Sequence, residues 1–143
     1  MQVNIKRIDS SLPLPEYQTS GAVAFDLYSR IDMTITPKSL GLIPTNLIIE
    51  TPKGYMLILA SRSGTPKKKG LLVPHGIGII DQDYCGEKDE LLFQVYNFTD
   101  QEVAIARGER IGQGVFVKIE QGQWQEVKHM TGPDRGGFGS TGS

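Results

Sequence analysis

A carboxylate set directly after an apolar strand, with an aromatic ring three residues on, has the form of a general base in a walled pocket. GIIDQDY, residues 78–84, has that form: Gly78, Ile79 and Ile80 run straight into Asp81, and Tyr84 follows. An acid at the buried end of a strand is partly desolvated, which raises its proton affinity and makes it a better base. Arg62, Ser63 and Gly64 make a second constellation after the apolar run YMLIL. A guanidinium fork, a hydroxyl and a bare backbone amide together can cradle phosphate oxygens. Lys67, Lys68 and Lys69 add positive charge nearby, although such a run is also common in solvated loops. GERIGQG, residues 108–114, brings Gln113 into a strand and otherwise reads as an ordinary turn.

Other chemistries fit less well. Asp81, Asp83 and Gly86 match three positions of a calcium-binding EF-hand loop, but Leu92 stands where the bidentate glutamate belongs, and the flanks read as strands. Glu87, Asp89 and Glu90 are expected to form a solvated turn. Cys85 is the single cysteine, so neither an intrachain disulfide nor a cysteine-built zinc site can form within the chain. His75 and His129 read as surface polar residues, and no GxSxG element supports a serine nucleophile.

The elements that must position these groups are β-strands. The 17 glycines and 8 prolines interrupt nearly every window long enough for a helix. VNIKRI, AFDLYS, DMTIT, TNLIIE, YMLILA, GIGII, ELLFQVYNF, EVAIA and GVFVKI remain as short β-rich segments between turn clusters, at the spacing of a sandwich or barrel. One short helical turn is expected near Pro66–Gly70. At 143 residues the chain has the length of one domain with a real core. A net charge of -1 gives no reason to expect nucleic-acid or membrane binding. The sequence shows neither a signal peptide nor a membrane span, and the lone cysteine suits a reducing, cytoplasmic setting. A core over residues 1–131 is expected to be followed by a Gly-rich arm, 132–143. Its composition suits a disordered tail, or a segment that orders over a ligand through Arg135 and Phe138.

Taken together, GAVAFDLYS (Gly21 to Ser29), SRSG, GIIDQDYCGE, RGERIGQ and RGGFGSTG (Arg135 to Gly142) resemble, in order and spacing, the motifs of the trimeric dUTPase family. The resemblance implies an all-β, distorted jelly-roll-like barrel or sandwich, and a homotrimer with active sites at subunit interfaces. It also implies hydrolysis of dUTP to dUMP and pyrophosphate, with Mg²⁺ held mainly by the triphosphate. Asp81 then corresponds to the base that activates the attacking water, and Tyr84 to the ring that leaves no space for a ribose 2′-hydroxyl. Arg62, Ser63, Gly64 and Gln113 correspond to nucleotide contacts, and Asp26 to a carboxylate that reaches the metal through water. The backbone of Gly78, Ile79 and Ile80 would read uracil, beside His75. Arg135, Phe138, Gly139, Ser140 and Thr141 correspond to an arm from a neighbouring subunit, with Phe138 over the base.

The chain departs from the family pattern at several points. Ser61 stands where Pro is frequent, and His75 where many members have Asn. About three extra residues lie between Gly86 and Leu91, and the last motif is two residues shorter than the commoner form. Two other readings compete: a dCTP deaminase or bifunctional enzyme of the same superfamily, and a non-catalytic trimeric scaffold.

Overall fold

Antiparallel strands of two to nine residues carry the chain in the computed structural model, which describes residues 1–137. Four sheets form, with the strands numbered in chain order. The largest runs β2(Phe25–Tyr28), β11(Arg110–Lys118), β6(Tyr55–Ala60), β8(Gly78–Ile80). A second runs β4(Leu40–Pro44), β9(Leu92–Asn97), β7(Leu71–Leu72), and two-stranded ribbons pair β1(Ile5–Arg7) with β5(Leu47–Ile49) and β3(Met33–Ile35) with β10(Val103–Ile105). The expected all-β class holds, and every hydrogen-bonded neighbour is distant in sequence, as in jelly rolls.

Alternation along the strands builds the core. β9 turns Phe93, Val95 and Asn97 inward, and β6 turns Leu57 and Leu59 inward to meet Leu27, Ile43, Ile49 and Leu71. Each such side chain contributes about 1.5–3 kcal/mol by leaving water. One helix, α1(Thr65–Lys69), forms where a helical turn was expected. It has Pro66 in its first turn and ends on Gly70, whose φ of 66° suits the left-handed cap.

The structure corrects two local readings. In GERIGQG the turn ends early: Gly108, at φ 79°, belongs to it, but Arg110 already opens the nine-residue β11 that carries Gln113. Its glycines answer to packing, since a Cβ on Gly112 would come within 2.8 Å of the Phe93 ring and one on Gly114 within 2.5 Å of the Phe25 ring. LGLIP, which lacks a strand signature because of Gly41 and Pro44, forms β4. Gly41 lies against Ile35, and Pro44 sits at the strand's last position, where a missing donor does least harm.

The N-terminal segment is fastened by Asp9. Its carboxylate accepts from the Ser11 amide (2.9 Å) and hydroxyl (2.6 Å) and from Arg107 (2.6 Å), while its backbone pairs with the buried Asn46 side chain. The Ser11 hydroxyl first, then Arg107, hold the Asp9 carboxyl well below the usual carboxylate range. A depressed folded-state pKa gives stability that is complete above the unfolded value, about 3.9, and is lost as pH falls toward the folded one. Thermal melts below about pH 4 should therefore fall less steeply for Asp9→Asn than for the parent protein. Parallel curves would show that Asp9 contributes nothing to acid sensitivity.

Past Ile119, residues 120–137 carry no strand or helix and are exposed, Trp124 at 98 %.

Candidate active site

Three adjacent strands assemble a phosphate-sized cradle. In the registers of the central sheet Gln113 on β11 lies opposite Asp26 on β2 and opposite Ala60 on β6, immediately before Ser61 and Arg62. Residues remote in sequence thus converge at one point. Asp26 is 6 % exposed, and both its oxygens are engaged: Arg62 Nε lies 3.0 Å from Oδ1 and Arg110 Nη1 3.2 Å from Oδ2. Gln113 Nε2 donates to the Ser61 carbonyl at 3.0 Å. Around them opens a cavity of about 630 Å³, lined also by Ser63, Gly64, Lys68 and Glu109.

A bulge explains how Arg110 and Gln113 share the cradle. In a regular strand, residues three apart face opposite sides. The register slips between Arg110 and Gly112, the extra residue that a bulge inserts, and parity is restored. Arg110 was not singled out from sequence, because a bulge leaves no periodic trace. The only hint was its place beside Gln113. Lys69 pairs with Glu109 at 2.6 Å, and both line the cavity together with Lys68, so two lysines of the run border it.

The second constellation lies on the far side of β6. β8 pairs Gly78 with Leu59 and Ile80 with Leu57, and a cavity of about 320 Å³ is bordered by Gly78, Ile79, Ile80, His75, Leu42 and Gln94. Mainly apolar walls beside an edge of free backbone suit a flat heterocycle.

Asp81 departs from expectation. It is exposed, not buried at a strand end, because β8 is an edge strand with β6 on one side only, and Ile79 is itself 58 % exposed. Tyr84 is also exposed, and its phenol donates to the Glu90 carbonyl at 3.2 Å. Within one chain neither Asp81 nor Tyr84 borders either cavity.

Glu90 overturns the reading of 87–90 as one solvated turn. Its carboxylate takes a bidentate grip from Arg30 (2.9 and 2.9 Å) and accepts the Asn46 amide at 2.8 Å, with its side chain 12 % exposed. Asp89 closes the loop on the Gly86 amide at 2.7 Å, and the exposed Glu87 pairs with Lys6. Arg135 lies on the exposed final stretch, while Phe138, Gly139, Ser140 and Thr141 fall outside the described residues.

The family model for dUTPase matches residues 10–142 of this sequence. The chain belongs to the dUTPase family. A deoxyuridine 5'-triphosphate nucleotidohydrolase of Dictyoglomus turgidum is 39 % identical over 99 % of this chain and 99 % of its own length. Another, from a Hydrogenobaculum species, is 40 % identical with the same coverage of both chains. Among solved structures, the dUTPase of Streptococcus mutans superimposes with a TM-score of 0.77 at 31 % identity, covering 84 % of this chain and 98 % of that one. A Staphylococcus bacteriophage 80alpha dUTPase with dUpNHpp shares the fold at a TM-score of 0.87 and 23 % identity, covering 99 % of each chain.

Among the described residues no three His, Cys, Asp or Glu side chains stand together as a metal site; the cradle of this dUTPase holds the carboxylate of Glu109, paired with Lys69, and that of Asp26. Each oxygen of that carboxylate has two lone pairs, and the arginines engage one on each. Both oxygens can still accept from a metal-bound water. That donor set suits Mg²⁺, which keeps several waters and binds through few carboxylates plus substrate phosphates.

Proposed function

We propose that this dUTPase-family protein is a dUTP diphosphatase, releasing dUMP and pyrophosphate by attack of water on the α-phosphorus. The observation that carries the reading is the strand register that sets Asp26, Arg62 and Gln113 around one cavity, with the Gly78–Ile80 edge across β6. Arg62, Ser63, Gly64 and Gln113 grip the triphosphate. Asp26 holds Arg62 in place and meets the metal's water shell. Bound with the triphosphate, Mg²⁺ would supply charge neutralisation at the phosphates, with Asp26 holding its water shell. Asp81 orients the water and takes its proton, and in such transfers positioning and charge neutralisation supply most of the rate.

Uracil is read by the backbone of Gly78, Ile79 and Ile80 next to His75. Cytosine leaves buried polar groups unpaired there, a penalty that reaches roughly 10⁴-fold, and thymine is refused by its methyl. Tyr84 closes the sugar side.

A homotrimer completes the site. On the β4–β9–β7 sheet Leu40, Leu42, Leu72 and Leu92 are exposed together, and Leu42 and Leu92 border the base cavity. An apolar patch continuous with the cavity suits a second copy of the chain. That copy also supplies the wall that the exposed Asp81 and Tyr84 lack. Residues 1–131 form the core, and the arm, 132–143, with Arg135, Phe138, Gly139, Ser140 and Thr141, closes on a neighbour's site. The absence of nucleic-acid or membrane features and the single cysteine fit a cytoplasmic enzyme.

The test is pyrophosphate release with Mg²⁺ from dUTP, dCTP, dTTP and UTP. Release from dUTP alone is expected. Formation of dUTP from dCTP would instead make the protein a deaminase, and no turnover of any of the four would favour a scaffold. Ending the chain after Gly132 should leave the assembly and its melting temperature intact while activity collapses. Full activity in the shortened protein would remove the arm from the mechanism.

A further inference from the structure

The loop after the proposed base is held at its far end, and that hold reaches the ring expected to filter the sugar. Residues 84–88 lie at the surface, with Tyr84, Gly86, Glu87 and Lys88 exposed, and among the described residues the only side-chain contacts that fasten 86–88 are Asp89 on the Gly86 amide and Lys6 on Glu87. The Tyr84 phenol donates to the carbonyl of Glu90. Glu90 is in turn the best anchored residue of the segment. Arg30 grips both its carboxylate oxygens and the Asn46 amide donates to one of them. Beyond it Leu91, fully buried, exchanges backbone hydrogen bonds with Leu47 and Thr45. Asn46 adopts a φ of 72° and is itself pinned to Asp9, so the clamp rests on the core.

We infer that Glu90, clamped by Arg30, is a positioning residue for Tyr84 and sets how strictly the enzyme refuses a 2′-hydroxyl. The inference rests on the dUTPase reading with Tyr84 as the sugar wall. A filter works by leaving no room, so a ring free to swing by an ångström stops filtering even though it is still present. Arginine to carboxylate is the geometry that suppresses such swing, because two parallel hydrogen bonds fix direction as well as distance. The clamp fixes the residue to which the Tyr84 phenol is tied, and so limits the freedom of a ring on an exposed loop.

The experiment compares kcat/KM for dUTP and UTP in the parent enzyme and in Glu90→Gln, Arg30→Lys, Tyr84→Phe and Tyr84→Ala. Glu90→Gln and Arg30→Lys should lower the dUTP:UTP ratio on the order of tenfold, chiefly by raising turnover of UTP. Tyr84→Phe keeps the ring but not its tether, and should move the ratio in the same direction. Combining Tyr84→Phe with Glu90→Gln should add little to the larger single effect, since one removes the tether's donor and the other loosens the residue whose carbonyl accepts it. Equal losses on the two substrates in Glu90→Gln, the mark of a merely structural role, would overturn the inference. Should the clamp variants not fold, Tyr84→Phe decides alone, its side chain being exposed, and an unchanged ratio there overturns it. Tyr84→Ala separates the two levels. If it loses discrimination while Glu90→Gln, Arg30→Lys and Tyr84→Phe keep it, the clamp fails and the sugar-wall reading stands. If it too retains discrimination, Tyr84 is not the wall.

Discussion

Replacing Asp81 by Asn should lower turnover of dUTP by about 10²–10⁴-fold while nucleotide still binds. The amide keeps the size of the side chain and can still accept a hydrogen bond from water, but it cannot take the proton. The measurement is pyrophosphate release against nucleotide affinity, each with Mg²⁺, and the two should part company. Unchanged turnover would remove Asp81 as the base. The exposure of Asp81 in one chain sharpens the expectation. In the proposed homotrimer a neighbouring subunit and the bound nucleotide complete the surroundings of this carboxylate.

Neutralising Asp26 should have the second largest effect, and on two quantities together. Asp26→Asn leaves Arg62 and Arg110 converging on a buried position with no opposing charge. Both guanidiniums are partly solvated, which moderates the cost, and a loss of about 1–3 kcal/mol in unfolding free energy is expected. With Arg62 no longer aimed into the cavity, kcat/KM for dUTP should fall by roughly 10². Denaturant titration and steady-state kinetics read the two effects separately. Lost activity with undiminished stability would mean that Asp26 acts on the substrate or metal alone. Lost stability with normal kinetics would mean that Arg62 finds its place without it.

Most of the strands were legible because their signals are local. β2, β6, β9 and β10 are short runs of β-branched, aromatic and aliphatic residues between glycines and prolines, and α1 carries its own Pro66 and Gly70 punctuation. β4 was not legible, because Gly41 and Pro44 look like turn residues until their neighbours are known. The same holds for Gly112 and Gly114, where the cause is a phenylalanine ring on another strand. At the site, Asp26, Arg62 and Gln113 were named from motifs and do converge. Arg110 was missed because its orientation depends on a slip in register. Glu90 was misread because Arg30, its partner, is 60 positions away in sequence. Charge runs look alike whether they face water or a distant arginine, and only the fold tells them apart.

The slip in β11 also says where this chain can change length. The loop between Gly86 and Leu91 can take up residues while its two ends remain fastened, since growth there only lengthens a turn. Between Arg110 and Gln113 no such latitude exists. One residue gained or lost would reverse the facing of everything on one side of the bulge. Either Arg110 would leave Asp26, or Gln113 would leave the cavity and the Phe25 and Phe93 rings would lose their glycines. The chain can therefore change size at the hairpin, whereas the spacing from Arg110 to Gly114 works as a fixed ruler.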